Sequence, residues 1–548
     1  MPSINAYLGI GERRMKRIIT YVSILIFSFL HISVKAMDKS FLQEISQYIL
    51  ANDTSSIIKA MQARHLGIND YLDAEQTETA LSLAIKLKQK DVVAYLLHHQ
   101  ADPNIKSKSE APLILAIQND EPEIVKLLLD NKAEPDVSDD KGNTPVVLCI
   151  KGNQLSSLLY LVKAGANLLA KDKSGKIPLD YIRSATDSKL AAYVRHFTRM
   201  QENALNWPPY TDGPIIEWKD STNFEVKHYY TRNHRLCEKS ALIQVNHLPY
   251  VLQSPLLSHP IEIQRTYARP AHSLEMPDRL MAIGDLHGDL ESLVRLLIGN
   301  QVIDSSLTWI WGKGELVFIG DIFDRGNEVT ELLWFIQNLE NEAQNHGGRV
   351  HFILGNHETM ALIGDHRYLE QKYRNICEYF SMDYWQFYTL DTELGRYIRS
   401  KPVIIKIGNV LFVHGGIGPD LLHKRLSISE INNIISNIFT TERHKLNELE
   451  LFMLMDDGPL WYRDLLEEYG YFSTLPESHI DSVLSFYKVS HIVIGHSEVP
   501  QINSRHNGKV IAINVPFYYG KYIPQALLID SNRFFIVDAN GKKTPLFE

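Results

Sequence analysis

Cysteine is scarce. The three present, Cys149, Cys237 and Cys377, are odd in number and far apart, which excludes a disulfide scaffold and any zinc module built on cysteine. There is no excess of positive charge. Lys and Arg total 56 against 65 Asp and Glu, a net of -9, so nothing in the charge balance prepares the chain for a nucleic-acid backbone. Long uncharged apolar runs are also missing, with one exception at the amino terminus, so the bulk of the chain is no membrane bundle. At 45% hydrophobic and 22% charged, the 548 residues have ordinary globular composition, and their length calls for several domains rather than one core.

The exception is Ile18 to Val34, preceded by Arg13, Arg14, Lys16 and Arg17 and followed by Val34-Lys35-Ala36. A basic stretch, an apolar stretch and a small-residue cleavage site predict a signal peptide over residues 1–36, and hence export to a periplasmic or secreted destination with no membrane attachment after cleavage. The alternative is an uncleaved amino-terminal anchor. Met15 could itself open a compact signal peptide.

Residues 37–205 carry an internal repeat. Thr79-Ala80-Leu81, Ala111-Pro112-Leu113, Thr144-Pro145-Val146 and Ile177-Pro178-Leu179 recur at spacings of 32 to 33 residues. Each of the first three units continues into a second apolar segment, Val92 to Leu97, Ile124 to Leu129 or Leu158 to Val162, and then into a turn. The period and the T-P-L opening resemble the ankyrin repeat, which predicts an all-α solenoid of stacked helix pairs and a surface for a protein partner. Phe41 to Leu66 reads as a degenerate first repeat or cap, and Asp187 to Leu205 as a closing helix. The apolar residues at these periods are core, and His98 and His99 are solvated turn-flanking residues, not ligands. Trp207-Pro208-Pro209 ends the helical pattern, and residues 206–277 read as a linker and small β extension, with short strand-like runs at Ile215 to Trp218 and Phe224 to Tyr230.

Residues 278–548 carry the chemistry. Five apolar runs each end in ligand-type side chains: Leu280 to Ile283 before Gly284-Asp285-Leu286-His287-Gly288; Leu316 to Ile319 before Gly320-Asp321-Ile322-Phe323-Asp324-Arg325-Gly326; Val350 to Leu354 before Gly355-Asn356-His357-Glu358; Val410 to Val413 before His414-Gly415-Gly416; and Ile492 to Ile494 before Gly495-His496. Buried strands with ligands at their carboxyl ends are where α/β sheets place active sites. Imidazoles and carboxylates without a thiolate suit divalent ions such as Mn, Fe or Zn, and a pair of such ions suits phosphate-ester cleavage at neutral pH.

These motifs, GDxHG, GDxxDRG, GNHE, HGG and a late GH in that order, resemble the calcineurin-like metallophosphoesterases of the PPP protein-phosphatase family. Met360 to Tyr368, Arg399-Ser-Lys-Pro402 and Gly458-Pro459-Leu460-Trp461-Tyr462-Arg463 are closest to its Shewanella-like bacterial branch. The resemblance implies an α/β metallophosphoesterase β-sandwich flanked by helices, following the ankyrin solenoid in a multidomain chain. It implies one metal on Asp285, His287 and Asp321, and a second on Asp321, Asn356, His414 and His496. His357, oriented by Asp324, is then the general acid. Arg325 and Arg463, with Asn356, bind phosphate, and water deprotonated by the metals attacks in line without a phosphoenzyme. A packing role for Arg463 is the alternative, and His351, His366 and His491 read as structural.

The implied activity is a dinuclear phosphoprotein phosphatase whose repeats recruit a substrate or partner protein. A small-molecule phosphoesterase, such as a dinucleoside polyphosphate hydrolase, and an inert ankyrin scaffold are the alternatives. Gly495-His496-Ser497-Glu498-Val499 and Ile513-Asn514-Val515-Pro516-Phe517-Tyr518-Tyr519 depart from the family pattern beside the pocket and leave the phosphoresidue open.

Overall fold

The computed structural model describes residues 39–547 except 109, 185, 442 and 467–474. The expected signal segment lies outside the described residues. Among the described residues no helix is long and apolar enough to cross a membrane. The chain forms two units, one comprising the chain up to Pro209 with Thr231–Lys239, the other Tyr210–Tyr230 with Ser240–Glu548.

The first unit is helical. A helix over 39–50 and Thr54–Ala63 precede the pairs Ala80–Lys86 with Lys90–His98, Pro112–Gln118 with Pro122–Asp130, and Pro145–Gly152 with Leu155–Lys163. Proline opens Pro112–Gln118 and Pro145–Gly152 because its missing N–H falls where a helix has no internal acceptor for one. Each pair buries one stripe, for example Val92, Val93, Leu96 and Leu97 in the second helix of the first pair.

Side-chain amides then stitch one repeat to the next. Asn119 Nδ2 donates to the Ile85 carbonyl (3.1 Å), Gln154 Nε2 to that of Ile117 (2.8 Å), and in the turns Asn69 and Asn104 accept from the backbone N–H of Asp102 and Glu134 (2.7 and 2.9 Å). The fourth unit departs from the repeat. Its Pro178–Tyr181 segment makes only a single 3₁₀ turn, and the 17-residue helix Ser188–Ala204, capped by Asp187, follows. Its Leu190, Val194 and Phe197 are buried, so this helix continues the core. His98 and His99 are exposed.

The second unit is α/β. Two six-stranded sheets carry the five expected strands. One runs Lys543–Pro545, Arg533–Asp538, Gln525–Asp530, Arg279–Ile283, Glu315–Phe318, Arg349–Phe352; the other runs Asn503–Arg505, Val510–Ala512, His491–Ile494, Val410–Val413, Ile404–Ile407, Ser273–Leu274. Arg279–Ile283, Glu315–Phe318 and Arg349–Phe352 are mutually parallel neighbours, as are Val410–Val413 and His491–Ile494. The ligand-bearing turns therefore leave each sheet at one edge.

The β extension is part of this unit's packing: Thr211–Trp218 pairs antiparallel with Asn223–Arg232. Trp334 Nε1 donates to the Pro214 carbonyl (3.0 Å) and Trp218 Nε1 to Glu393 (2.6 Å), while buried Asp212 pairs with Lys372 (2.9 Å).

Candidate metal centre

The turns that follow the five strands converge. Asp285, His287, Asp321, Asn356, His357, His414 and His496 are all buried. Ligand atoms of His287, Asp321 and His357 lie within 4.8 Å of one another, and so do those of Asp321, His414 and His496, so Asp321 is common to both groups. His414 Nε2 stands 3.2 Å from Asp321 Oδ2 and 2.9 Å from Asn356 Oδ1, while His287 and His357 place Nε2 at 3.8 Å from the same carboxylate oxygen.

The polypeptide aims these atoms with its own backbone. His287 Nδ1 faces the Phe323 carbonyl (2.7 Å) and His414 Nδ1 that of Ile319 (2.8 Å), which leaves each Nε2 directed inward. The His414 contact joins the two sheets. Five of the expected site residues, His287, Asp321, Asp324, Arg325 and His496, have φ between 46° and 65°. Left-handed backbone of this kind, costly for a residue with a side chain, gathers where function over-determines geometry.

Two glycines leave the room the cluster needs. A Cβ on Gly355 would lie 2.2 Å from Asp321 Oδ1 and 2.8 Å from His414 Cε1, and one on Gly495 would lie 2.6 Å from Asp285 Oδ1. Gly355→Ala is therefore expected to displace Asp321 and weaken metal affinity about 10–100-fold, measured by metal titration against a fluorescent chelator.

Asp285 enters the same cavity with its oxygens already engaged. Oδ1 accepts from His496 N (3.2 Å) and Oδ2 from Asn514 Nδ2 (2.6 Å). Burial, with Asp321 nearby, pushes its carboxyl up to about 7, although His414 opposes the shift. Burial and the neighbouring His357 hold His287 well below the usual imidazole range, and burial with His414 does the same to His496, so both are neutral donors. His496 Nε2 is buried with no hydrogen-bond partner among the described residues. An unpartnered imidazole nitrogen beside a carboxylate shared by two ligand groups, with an amide oxygen and no thiolate, fits divalent metal ions.

His357 Nδ1 lies 2.6 Å from Asp324 Oδ2. Burial alone would depress this imidazole, but Asp321 and Asp324 outweigh it and raise the group above its ordinary value. Arg325 Nη1 donates to Tyr518 Oη (2.9 Å) and Glu498 Oε1 (3.3 Å), and its guanidinium lies 5.9 Å from the ring centre of Tyr368 and 5.5 Å from that of Tyr518. Arg463 Nη1 donates to the His496 carbonyl (3.4 Å), which ties it to the same turn.

Outside the expected set, three residues shape the site. Buried Glu358 accepts from the backbone N–H groups of Asp321 (2.9 Å), Ile322 (2.6 Å) and Gly355 (2.6 Å), locking two ligand turns together. Its position three residues after the N-cap Gly355 is the acidic half of a capping box, the half that a glycine N-cap allows. Asn514 and Tyr518 come from the late segment that departs from the family pattern, and no local motif marks them. His351 faces Glu315 (2.8 Å) and His491 the Gly508 carbonyl (2.9 Å), both away from the cluster.

With this geometry in place, comparison with known proteins gives its family. Residues 278–500 match the calcineurin-like phosphoesterase family, and residues 77–108 and 106–172 match ankyrin repeats. A solved structure of a cold-active protein-tyrosine phosphatase from a psychrophilic Shewanella species superposes with a TM-score of 0.56 at 30% identity, covering 62% of this chain and 100% of that one. The chain belongs to the calcineurin-like phosphoesterases. Among curated relatives of this phosphoesterase, Shewanella-like protein phosphatase 1 of Plasmodium berghei is 29% identical over 284 residues, 50% of this chain and 77% of the relative. Shewanella-like protein phosphatase 2 of Arabidopsis thaliana is 45% identical over 98 residues, 18% of this chain and 25% of that relative. The phosphoesterase is thus a metal-dependent phosphatase that also carries ankyrin repeats.

Proposed function

We propose that this phosphoesterase is a dinuclear phosphoprotein phosphatase acting on phosphomonoesters. The observation that carries the reading is the sharing of Asp321 between two buried ligand groups, one of which contains the unpartnered His496 Nε2. In it, Asp285, His287 and Asp321 hold one ion, and Asp321, Asn356, His414 and His496 the other. Ions bound there polarise phosphoryl oxygens and lower the pKa of a coordinated water.

The remaining work falls to the chain. Asp324 fixes the His357 ring through Nδ1, so that Nε2 carries the proton given to the leaving oxygen. Arg325, held between the Tyr368 and Tyr518 rings, and Arg463 bind the non-bridging oxygens, with Asn356 beside them. For Arg325 this requires exchanging Glu498 for substrate, so an internal carboxylate competes with phosphate at the clamp. The ankyrin array recruits the substrate or a partner protein, and the amino-terminal 36 residues direct export.

The test is a panel of phosphotyrosine, phosphoserine and phosphothreonine peptides against diadenosine tetraphosphate, with full-length protein and Mn²⁺. We expect kcat/KM for the best phosphopeptide to exceed that for the dinucleotide at least tenfold; a preference for the nucleotide by orders of magnitude overturns the proposal.

A further inference from the structure

The stretch Arg399-Ser-Lys-Pro402, a mark of the family resemblance, has no part in the metal centre. Its Arg399 and Ser400 instead line a surface depression of about 290 Å³, with Arg265, Arg269, Arg396, Tyr267 and Ser436. Four guanidinium groups on one small cavity outnumber the two acids beside it, Glu393 and Asp391, which both act on Arg396. Glu393 is buried, and its acceptors are taken by the backbone N–H groups of Gln264 (2.7 Å) and Arg265 (2.9 Å), Tyr267 Oη (2.7 Å) and Trp218 Nε1 (2.6 Å). Asp391 reaches Arg396 only at 4.0 Å, with its side chain 76% exposed.

Arg399 is the least compensated of the four. Its Nη1 donates to the carbonyls of Tyr388 and Gly395, whereas its Nε is buried with no hydrogen-bond partner among the described residues. Burial, with no carboxylate to offset it, pushes this guanidinium down to about 10. A half-buried cation facing only carbonyl dipoles is expensive unless an anion joins it. Arg269, also on the lining, has its guanidinium on Asn433 Oδ1 (3.4 Å) and Ser436 Oγ, neutral partners that an oxyanion can join without breaking an ion pair. Arg396 is anchored by the carbonyls of Leu390 (2.5 Å) and Arg265 (3.2 Å) and is thereby held in place.

From this arrangement we propose that the depression is a second anion site, separate from the metal centre, that binds a small tetrahedral oxyanion of the phosphate type through Arg269 and Arg399. Planar guanidinium groups offer paired donors to such oxygens, and the Ser436 hydroxyl extends the set. The site also has a physical route to the metal centre. The helix Glu393–Arg399 leads directly to Pro402, whose carbonyl accepts from Leu354 N (2.8 Å), two residues before Asn356.

Isothermal titration of inorganic phosphate into the full-length chain tests the proposal. In the Asp321→Asn background, which disables the metal centre, one phosphate per chain still binds. Adding Arg269→Gln, an exposed change whose thermal melt verifies the fold, weakens that Kd about tenfold or more. Adding Arg399→Met removes the binding, and Arg399→Lys restores part of it. Absence of phosphate binding in the Asp321→Asn protein, or an unchanged Kd in the folded Arg269→Gln variant, overturns the site.

Discussion

Asp321→Asn is expected to lower hydrolysis of p-nitrophenyl phosphate by at least about 10³-fold and to release bound metal from the purified protein. The carboxylate belongs to both ligand groups, so its loss damages two sites where any other ligand damages one. Two effects add. The neutral amide removes the anionic partner that His414 faces at 3.2 Å, and with its oxygen kept on the His357 backbone N–H (3.0 Å) it turns an NH2 group, which holds no cation, toward both ligand groups. Charge stabilisation by a bound ion is worth several kcal/mol in the transition state, and about 4 kcal/mol corresponds to three factors of ten in rate. Metal content by mass spectrometry and kcat/KM on the same preparation check both halves. Retention of two ions per chain with near-normal turnover would show that Asp321 is no bridge.

His357→Asn separates proton donation from metal binding. For a phosphoserine peptide, whose leaving alkoxide needs a proton, kcat should fall about 10²–10⁴-fold with metal content unchanged. With p-nitrophenyl phosphate, whose leaving group is a stable phenolate, the fall should be much smaller. Because His357 also sits within one ligand group, equal losses on both substrates accompanied by metal loss would recast it as a ligand. The hydrogen bond to Asp324 makes a companion test: Asp324→Asn leaves the ring in place without its anionic partner and should reproduce a part of the same substrate-dependent effect.

Much of this molecule was legible before any coordinates. Repeats at 32 to 33 residues announced stacked helix pairs, because a helix pair with one apolar stripe has no other way to bury it. The ligand turns were legible for a different reason. Each motif is local, a glycine-rich turn after an apolar strand, and turn chemistry is written in adjacent residues. Where repeat spacing alone was followed, it overreached: Ile177-Pro178-Leu179 has the opening of a fourth repeat, yet the chain forms one 3₁₀ turn there before the long helix Ser188–Ala204. Asp187 explains the shift, since its side chain accepts from the N–H groups of Lys189 and Leu190 and starts the helix later.

By itself, then, the order of residues determined the two kinds of architecture and the family, and it named candidate metal ligands, because each depends on spacing within a few neighbouring residues or on a fixed period. Only the folded chain decided that Asn514 holds Asp285 across 229 residues of sequence, that Glu498 faces Arg325 across 173, and that four arginines from two segments share one depression. Those pairings are set by how two sheets meet and which turns their edges bring together, and contacts between distant segments leave no periodic trace in the sequence.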